Sequence, residues 1–344
     1  MPVVCDIRLL AVPLLVLLSG CGDRPDATAQ LELTGSTMGT TFNIKLVTPP
    51  AELDEQSLQR RIEHSLLAIE QQMSTYLPDS ELSRFNTYAA TDWFEVSSHL
   101  CEAIAVAQSI SAASNGAFDV TVGPLVNLWG FGPDGAVTVP PTPQHITSAL
   151  AGIGYQALHF DCSIPAIRKD RPELYVDLSA FAKGYAVDVL AVLLEDNEIA
   201  NYLVEVGGEL RMGGKNSQGM DWAIAIEDPL RSGRSVHSVV NLTDGAVATS
   251  GDYRNYFEYA GNYYSHTIDP GTGYPVTHNA ASVTVIADTA AFADAFATAL
   301  LVLGPAAGLE LAERENVAAY FLLRDDTGIA ERATTMFVAE AQSR

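Results

Sequence analysis

An apolar segment that leads into an Ala-rich helix carries two charged residues, Asp177 and Lys183. Residues 174–178 are mostly apolar or aromatic and predict a strand. Residues 180 to about 195 predict a helix, with Ser179 at its N-cap. A helix start offers free backbone N–H groups and the positive end of the helix dipole. The segment therefore suits a phosphate group, although a lysine that only extends along a core helix would look the same.

A second pair of polar residues, Asp294 and Thr298, lies on a predicted Ala-rich helix at residues 290–303. Residues four positions apart share one face of a helix. A carboxylate and a hydroxyl are hard oxygen donors, and Mg²⁺ prefers such donors when it also binds substrate phosphates. A surface aspartate beside a core-facing threonine would give the same pattern.

One histidine, His266, lies in a predicted strand at residues 263–268, directly before the turn sequence Asp269-Pro270-Gly271. Histidine can accept a proton near neutral pH, so it could act as a general base. A lone histidine is more often an ordinary core or surface residue. The other six histidines have no comparable surroundings and are assigned no role.

These residues belong to a larger set of motifs that resembles the ApbE family of FAD:protein FMN transferases. The resemblance covers roughly residues 31–303, and the motifs that carry it are Thr37-Met-Gly-Thr-Thr41, Gly116-Ala-Phe-Asp-Val-Thr-Val-Gly-Pro124, Asp177 to Lys183, Val204-Glu-Val-Gly-Gly-Glu209, Ser265-His-Thr-Ile-Asp-Pro-Gly-Thr-Gly273 and Ala293-Asp-Ala-Phe-Ala-Thr298.

The resemblance implies specific roles for residues in these motifs. The residues that match the family's FAD contacts are Met38, Tyr76, Ala117, Phe118, Asp119, Asp177, Lys183 and Ile268. Those that match its Mg²⁺ ligands are the backbone carbonyl of Ala180 and the side chains of Asp294 and Thr298. His266 matches the residue that deprotonates the acceptor hydroxyl.

Two features of the chain leave open how far these roles transfer. Many family members carry an aspartate directly before the metal-binding threonine, but this chain has Ala297. The loss of one anionic ligand puts a second metal ion in doubt. Some members carry a carboxylate in place of Lys183. We interpret Gly207-Gly208-Glu209 as a turn at a strand end, with Glu209 as a structural partner.

The activity that the resemblance implies is Mg²⁺-dependent transfer of FMN from FAD to a Thr or Ser hydroxyl of a target flavoprotein, with release of AMP. The family's acceptors are typically subunits of the Nqr and Rnf membrane redox complexes. Two alternatives remain: hydrolysis of FAD to FMN and AMP, and a flavin-binding lipoprotein without catalysis. The combination of His266 with the predicted metal ligands argues against the last.

Composition excludes one broad class of partner. The chain has 344 residues and a formal net charge of −23. Such a charge repels nucleic-acid phosphates, so we expect no nucleic-acid partner. A phosphate ligand therefore needs local help from a metal ion, a lysine or a helix start.

The N-terminal segment predicts export and a lipid anchor. Residues 9–18 are apolar but too few to span a bilayer, which takes roughly 20 residues. They precede Leu18-Ser19-Gly20-Cys21, which resembles a bacterial lipobox. We therefore predict a signal peptide at 1–20, lipidation of Cys21, a polar tether at 21–30 and the catalytic domain at 31–344. The protein would then lie on the periplasmic side of the inner membrane, although the leaflet is left open.

Two cysteines, Cys101 and Cys162, lie in the predicted domain. In an oxidising periplasm they could form a disulfide. They could also be two buried thiols, and the sequence slightly favours thiols.

The elements that must position these residues predict an α+β fold. An amphipathic helix is predicted at 51–73, and further helices are predicted at 97–115, 290–303 and 306–314. Short strands with Gly, Asn and Asp turns between them predict antiparallel or mixed sheets with packed helices. No linker divides the chain, so we expect a single catalytic unit, and the family resemblance implies a T-fold-like core.

Overall fold

The computed structural model describes residues 29–231, 233, 235–326 and 328–342. The predicted signal peptide, Cys21 and most of the tether lie outside these residues. Within them, the helices are α1 (Glu55–Met73), α2 (Glu81–Thr87), α3 (Ser98–Ala113), α4 (Gly123–Leu128), α5 (Pro143–Leu150), α6 (Ala182–Glu195), α7 (Ala290–Arg314) and α8 (Thr335–Gln342). The strands are β1 (Gln30–Thr37), β2 (Thr40–Val47), β3 (Phe94–Glu95), β4 (Leu158–Asp161), β5 (Ala166–Lys169), β6 (Tyr202–Val206), β7 (Glu209–Gly213), β8 (Trp222–Glu227), β9 (Val236–Leu242), β10 (Gly245–Gly251), β11 (Tyr256–Tyr259), β12 (Asn262–Ser265), β13 (Ala280–Ala287), β14 (Ala318–Asp325) and β15 (Gly328–Ala333).

One sheet of eight strands forms the centre of the fold, in the order β1-β2-β6-β7-β10-β13-β14-β15. All neighbouring strands in it are antiparallel. Three smaller antiparallel sheets accompany it: β3-β5-β4, β8-β9 and β11-β12. The α+β prediction is therefore confirmed, and the sheets are antiparallel rather than mixed.

Both faces of the central sheet are covered. Helices α6 and α7 pack on one face, and α1 and α3 pack against those two helices. The other face packs against the β8-β9 hairpin and Phe337 of α8, around Trp222 and Tyr320. A third apolar cluster forms around Trp129 and Ile268, so Trp129 belongs to the core. The two helices that carry the residues predicted to bind phosphate and metal thus lie side by side on one face of the central sheet.

Helix α7 consists of two arms that meet at Gly304-Pro305, as the sequence predicts. Gly304 has φ +74°, which a glycine adopts without strain. Pro305 has no N–H to donate to the carbonyl four residues earlier, that of Leu301. His278 Nε2 lies 2.7 Å from that oxygen and satisfies it. The length and hydropathy of α7 would also fit a membrane span, but 61% of its apolar window is buried inside the protein.

The predicted strand at residues 174–178 is wrong. This segment belongs to no sheet. The Asn86 amide takes the place of a neighbouring strand, since it donates to Val176 O and accepts from Val176 N, both at 2.8 Å. The buried Lys169 Nζ contacts Leu174 O at 3.4 Å. The side chain of Asn86, 90 residues away, and that of the nearby Lys169 therefore hold the segment that leads to Asp177.

The preference for two free thiols is also wrong. Cys101 in α3 and Cys162 after β4 form a disulfide, with their Cα atoms 5.6 Å apart. The bond joins the helix layer to the small β3-β5-β4 sheet. Residue types and spacing cannot show this distance, so the sequence left the pairing open.

We expect the Cys101→Ala/Cys162→Ala variant to lose about 4 kcal/mol of unfolding free energy, because the disulfide closes a loop of 61 residues. Urea denaturation followed by circular dichroism measures the loss. The wild type should fall to the same stability in excess reductant. Equal denaturation midpoints for the oxidised wild type and the variant would contradict the disulfide.

Candidate active site

A cleft of about 1440 Å³ lies beside α6 and α7, with β8, the end of β10 and several loops as its other walls. Every residue predicted to bind FAD, to bind the metal or to remove the proton lines it: Met38, Tyr76, Ala117, Phe118, Asp119, Asp177, Ala180, Lys183, His266, Ile268, Asp294 and Thr298. Residues from distant parts of the chain thus come together in one cavity.

The start of α6 differs from the prediction. The helix begins at Ala182, and its N-cap is Phe181, which makes no side-chain capping bond. Ser179 is therefore not the N-cap. Its N–H and hydroxyl instead donate to Asp177 Oδ1, at 2.8 and 2.5 Å. Ser179 thus fixes the orientation of the Asp177 carboxylate, and burial raises the pKa of that carboxyl.

Backbone donors at this helix start are not all free to bind a phosphate, contrary to the prediction. The N–H of Ala182 donates to Leu178 O at 2.8 Å. The N–H of Gly184 donates to Asp294 Oδ2 at 3.1 Å. The helix start therefore holds the carboxylate of α7, and an incoming anion depends more on the charge of Lys183.

Helices α6 and α7 approach closely because residue 184 is a glycine. A Cβ atom at Gly184 would lie 2.4 Å from Ala290 O and 2.8 Å from Asp294 Cβ. Both contacts are shorter than van der Waals separation and involve groups fixed by α7. The close approach is also what allows the bond between Gly184 and Asp294.

Gly184→Ala should destabilise the protein by about 1–3 kcal/mol, because the methyl group would push the two helices apart. Urea denaturation measures this change. The sign is diagnostic, since replacing glycine by alanine inside a helix normally stabilises it by about 0.5–1 kcal/mol. A more stable variant would mean that the two helices tolerate separation.

Asp188, to which sequence reasoning assigned no role, fixes the same pair of helices. Its carboxylate accepts from the N–H groups of Ala290 and Ala291 at 2.9 and 2.8 Å, at the start of α7. Arg211 Nη1 lies 3.0 Å from Asp188 Oδ1. The signal was present in the four-residue spacing from Gly184, which puts Asp188 on the same face of α6.

Three charged side chains meet at the wall of the cleft. Lys183 Nζ lies 3.3 Å from Glu209 Oε1 and 3.9 Å from Asp294 Oδ2. Burial alone would lower the pKa of Lys183, but the carboxylates of Asp294 and Glu209 outweigh it and raise that pKa above its usual value. Burial raises the pKa of both carboxyl groups, and the lysine opposes that rise. Lys183 is therefore a permanent cation here.

The predicted metal ligands lie in the same wall. Asp294 is 4% exposed, and Thr298 Oγ1 lies 2.9 Å from Ser250 Oγ. No group of three His, Cys, Asp or Glu residues suited to a metal occurs in the described part of the chain. The predicted set is of another kind: one carboxylate, one hydroxyl and the carbonyl of Ala180. These hard oxygens fit Mg²⁺, which completes its shell with water and phosphate oxygens.

His266 lines the same cleft and directly follows β12. Its Nδ1 lies 3.1 Å from Asn255 O, and because a carbonyl only accepts, Nδ1 carries the proton. The lone pair is then on Nε2. The ring meets Phe131 edge-on, with centroids 6.2 Å apart. Burial lowers the pKa of His266, with help from the charge of Lys183, and outweighs the bond to Asn255 and the charge of Asp252, which raise it, so the neutral ring predominates at pH 7.

The residues predicted to contact the flavin differ in how accessible they are to a ligand. Tyr76 is 60% exposed at the cleft, with its ring available for stacking. Met38 lies in the β1-β2 turn at φ +48°. Both carboxylate oxygens of Asp119 already accept bonds, from Thr121 and from Tyr155 N. Asp119 therefore shapes its loop, and less of its carboxylate is left for a ligand than the sequence suggested.

The chain is similar to known flavin transferases over most of its length. A family model described as the ApbE family matches residues 38–321. A Vibrio cholerae protein named FAD:protein FMN transferase is 44% identical over 329 residues, which covers 96% of this chain and 97% of that protein. A Haemophilus influenzae protein of the same name is 40% identical over 334 residues, 96% of each chain. A solved structure of the Pseudomonas stutzeri flavinyl transferase ApbE, apo form, superimposes with a TM-score of 0.84 at 40% identity, over 91% of this chain and 97% of that one.

Proposed function

The chain belongs to the ApbE family, and from this membership we propose that it is an FAD:protein FMN transferase. FAD is the donor substrate and a target protein is the acceptor. The single observation that carries the proposal is the cleft, which combines a neutral histidine, a cationic lysine and a set of hard oxygen atoms.

The proposed reaction exchanges one phosphate bond for another. An acceptor oxygen forms a bond to the phosphorus that carries riboflavin, and the bond from that phosphorus to the bridging oxygen of the diphosphate breaks. AMP leaves with the bridging oxygen, and the acceptor's proton goes to His266. In such a transfer a protein contributes mainly positioning and charge neutralisation.

The residues of the cleft divide this work. His266 Nε2 holds the lone pair that accepts the hydroxyl proton. Lys183 holds the diphosphate by its charge. Asp294, Thr298 and the carbonyl of Ala180 would hold Mg²⁺. When bound, this ion would neutralise negative charge that develops on the phosphoryl oxygens. The magnesium requirement is a part of the proposal, based on the type of these oxygen donors.

We also propose the setting in which the enzyme acts. The acceptor hydroxyl belongs to a Thr or Ser of flavoprotein subunits in membrane redox complexes, such as those of the Nqr and Rnf type. The lipobox-like sequence at Cys21 supports a lipid anchor on the periplasmic side of the inner membrane. The disulfide between Cys101 and Cys162 supports an oxidising compartment.

The direct test is incubation of the purified enzyme with FAD, Mg²⁺ and an Nqr- or Rnf-type acceptor domain, followed by mass spectrometry of the acceptor. We expect a mass increment of one FMN on a single Thr or Ser, and one AMP per adduct. An acceptor whose Thr or Ser is replaced by Ala is the control. Free FMN formed at a comparable rate without acceptor would favour hydrolysis, and no adduct with several acceptors would contradict transfer.

A further inference from the structure

The Gly207-Gly208-Glu209 turn joins β6 to β7 at the wall of the cleft and ends in a buried carboxylate. Glu209 is 6% exposed. Its Oε1 lies 3.3 Å from Lys183 Nζ. Its Oε2 is buried and has no hydrogen-bond partner among the residues the structure describes. A buried carboxylate with half of its bonding capacity unused is costly, so this position needs a physical reason.

Gly207, the first glycine of the turn, leaves room for the stem of Lys183. A Cβ atom at Gly207 would lie 2.9 Å from Lys183 Cδ and 2.9 Å from Thr40 Cγ2. Gly207 and Gly208 have φ +62° and +110°, values that side-chain-bearing residues rarely adopt. The lysine stem therefore passes over the turn and ends beside Glu209.

Lys183 is also a potential competitor of a metal ion. Its ammonium group is 3.9 Å from Asp294 Oδ2, just short of direct hydrogen-bond contact. If the Lys183 ammonium came into direct contact with Asp294, it would neutralise the carboxylate that the proposed Mg²⁺ site needs. Charges at such distances interact strongly when they are partly removed from water. Which carboxylate holds Lys183 therefore matters for the metal.

We propose that Glu209 is a positioning residue that keeps the Lys183 ammonium beside the turn and off Asp294, so that Asp294 stays available to a divalent cation. The inference rests on the metal site of the proposed function. It assigns a role to the glycine turn, which the flavin contacts and the metal ligands do not explain. Without Glu209, Lys183 moves onto Asp294 as the nearest remaining carboxylate.

A Mn²⁺ titration of the FAD-free protein, followed by electron paramagnetic resonance, tests the proposal without measuring activity. Glu209→Gln should raise the Mn²⁺ dissociation constant about tenfold, because the Lys183 ammonium would then compete with Mn²⁺ for the Asp294 carboxylate. Lys183→Met should bind Mn²⁺ at least as tightly as the wild type. In the Lys183→Met background, Glu209→Gln should have no effect, since the competitor is gone.

Glu205→Gln is the matched control. Glu205 lines the same cleft and accepts from Gly208 N at 2.8 Å, a bond that glutamine can also accept. The variant removes a carboxylate, as Glu209→Gln does, but Glu205 makes no hydrogen bond to Lys183 or Asp294 in the described part of the chain. Mn²⁺ affinity should therefore stay within about twofold of wild type. If Glu209→Gln weakens Mn²⁺ binding by the same factor in the Lys183→Met background as in the wild type, Glu209 acts directly on the metal and the proposal is overturned.

A crystal structure of metal-free Glu209→Gln separates this proposal from the magnesium site itself. We expect Lys183 Nζ to move from its 3.9 Å separation into direct contact with Asp294. An unchanged lysine would overturn the role of Glu209 whatever the flavin assays give. A wild type that binds no Mn²⁺ would instead contradict the metal site, while the lysine position still decides the role of Glu209.

Discussion

Asp294→Asn is expected to lower Mg²⁺-dependent FMN transfer about a thousandfold, because it removes the carboxylate from the proposed metal site and with it several kcal/mol of charge stabilisation. The remaining donors, Thr298 and the carbonyl of Ala180, are neutral. Ala297 offers no second carboxylate in its place. Measuring single-turnover rates at saturating FAD over a Mg²⁺ series gives both the rate and the metal dependence.

Asparagine is the informative replacement because it keeps the contact between α6 and α7. Asp294 Oδ2 accepts from Gly184 N at 3.1 Å, and an amide oxygen can accept the same bond. Asp294→Ala would instead leave a buried N–H unpaired, at a cost of about 1–3 kcal/mol. We therefore expect the Asp294→Asn variant to have a melting temperature near that of the wild type and the Asp294→Ala variant to have a lower one.

Turnover by Asp294→Asn at the wild-type rate and at low Mg²⁺ would contradict the metal assignment. The same loss of rate with an unchanged Mg²⁺ dependence would also contradict it, since the residue would then act on FAD or on the fold. Thr298→Val serves as a second variant, because it removes one neutral donor at nearly constant volume. A much smaller loss than for Asp294→Asn is expected.

The sequence predicted where the site residues belong because most of them lie at ends of regular elements. Met38 is in a hairpin turn, His266 directly follows β12, and Thr298 shares a helix face with Asp294. These positions follow from hydrophobic periodicity and turn residues, which are local signals. Their assembly into one cleft followed from the family resemblance, because local signals do not specify which ends meet.

The errors lie where a side chain takes a bond that the local pattern assigns to a neighbouring strand or to a helix start. Residues 174–178 have strand-like composition, but the Asn86 amide occupies the place of a neighbouring strand. Ser179 has the right type for an N-cap, yet its hydroxyl bonds Asp177. Gly184 N–H is taken by Asp294, which is 110 residues away. Asn86 and Asp294 lie far outside a window of neighbouring residues, and Asp177, although only two residues from Ser179, is a competing acceptor that residue type alone does not reveal.

The sequence predicted only a general structural role for Glu209 because its contact with Lys183 is not a local one either. In the sequence it is one of many acidic residues, and it follows a glycine pair that fits any tight turn. The structure shows that a side chain at Gly207 would meet the stem of Lys183, whereas Gly208 is favoured only by its positive φ. Chemistry at this site therefore depends on a charge balance among three side chains from α6, β7 and α7.

His266→Ala should reduce FMN transfer about a hundredfold to ten-thousandfold, the range typical for loss of a general base, and leave FAD binding nearly unchanged. Burial lowers the pKa of His266 below the ordinary 6.5, so the basic form predominates at pH 7. The wild-type rate should fall at acidic pH as Nε2 gains a proton, with the midpoint of the fall below pH 6.5. The acid limb should be absent from the residual rate of the variant. Single-turnover rates between pH 4.5 and pH 8.5 measure both, within the range where such a histidine titrates.

The pH dependence separates catalysis from structure. His145→Ala, an exposed position on α5 outside the cleft, is the control and should retain both the rate and the acid limb. If His266 were only structural, His266→Ala would lower the rate by destabilising the protein, and the acid limb of the pH profile would remain. An acid limb that persists at the same pH in His266→Ala would assign the titration to another group. Because Nδ1 is fixed on Asn255 O, His266→Gln should restore binding geometry but not the rate, since an amide cannot take up the proton.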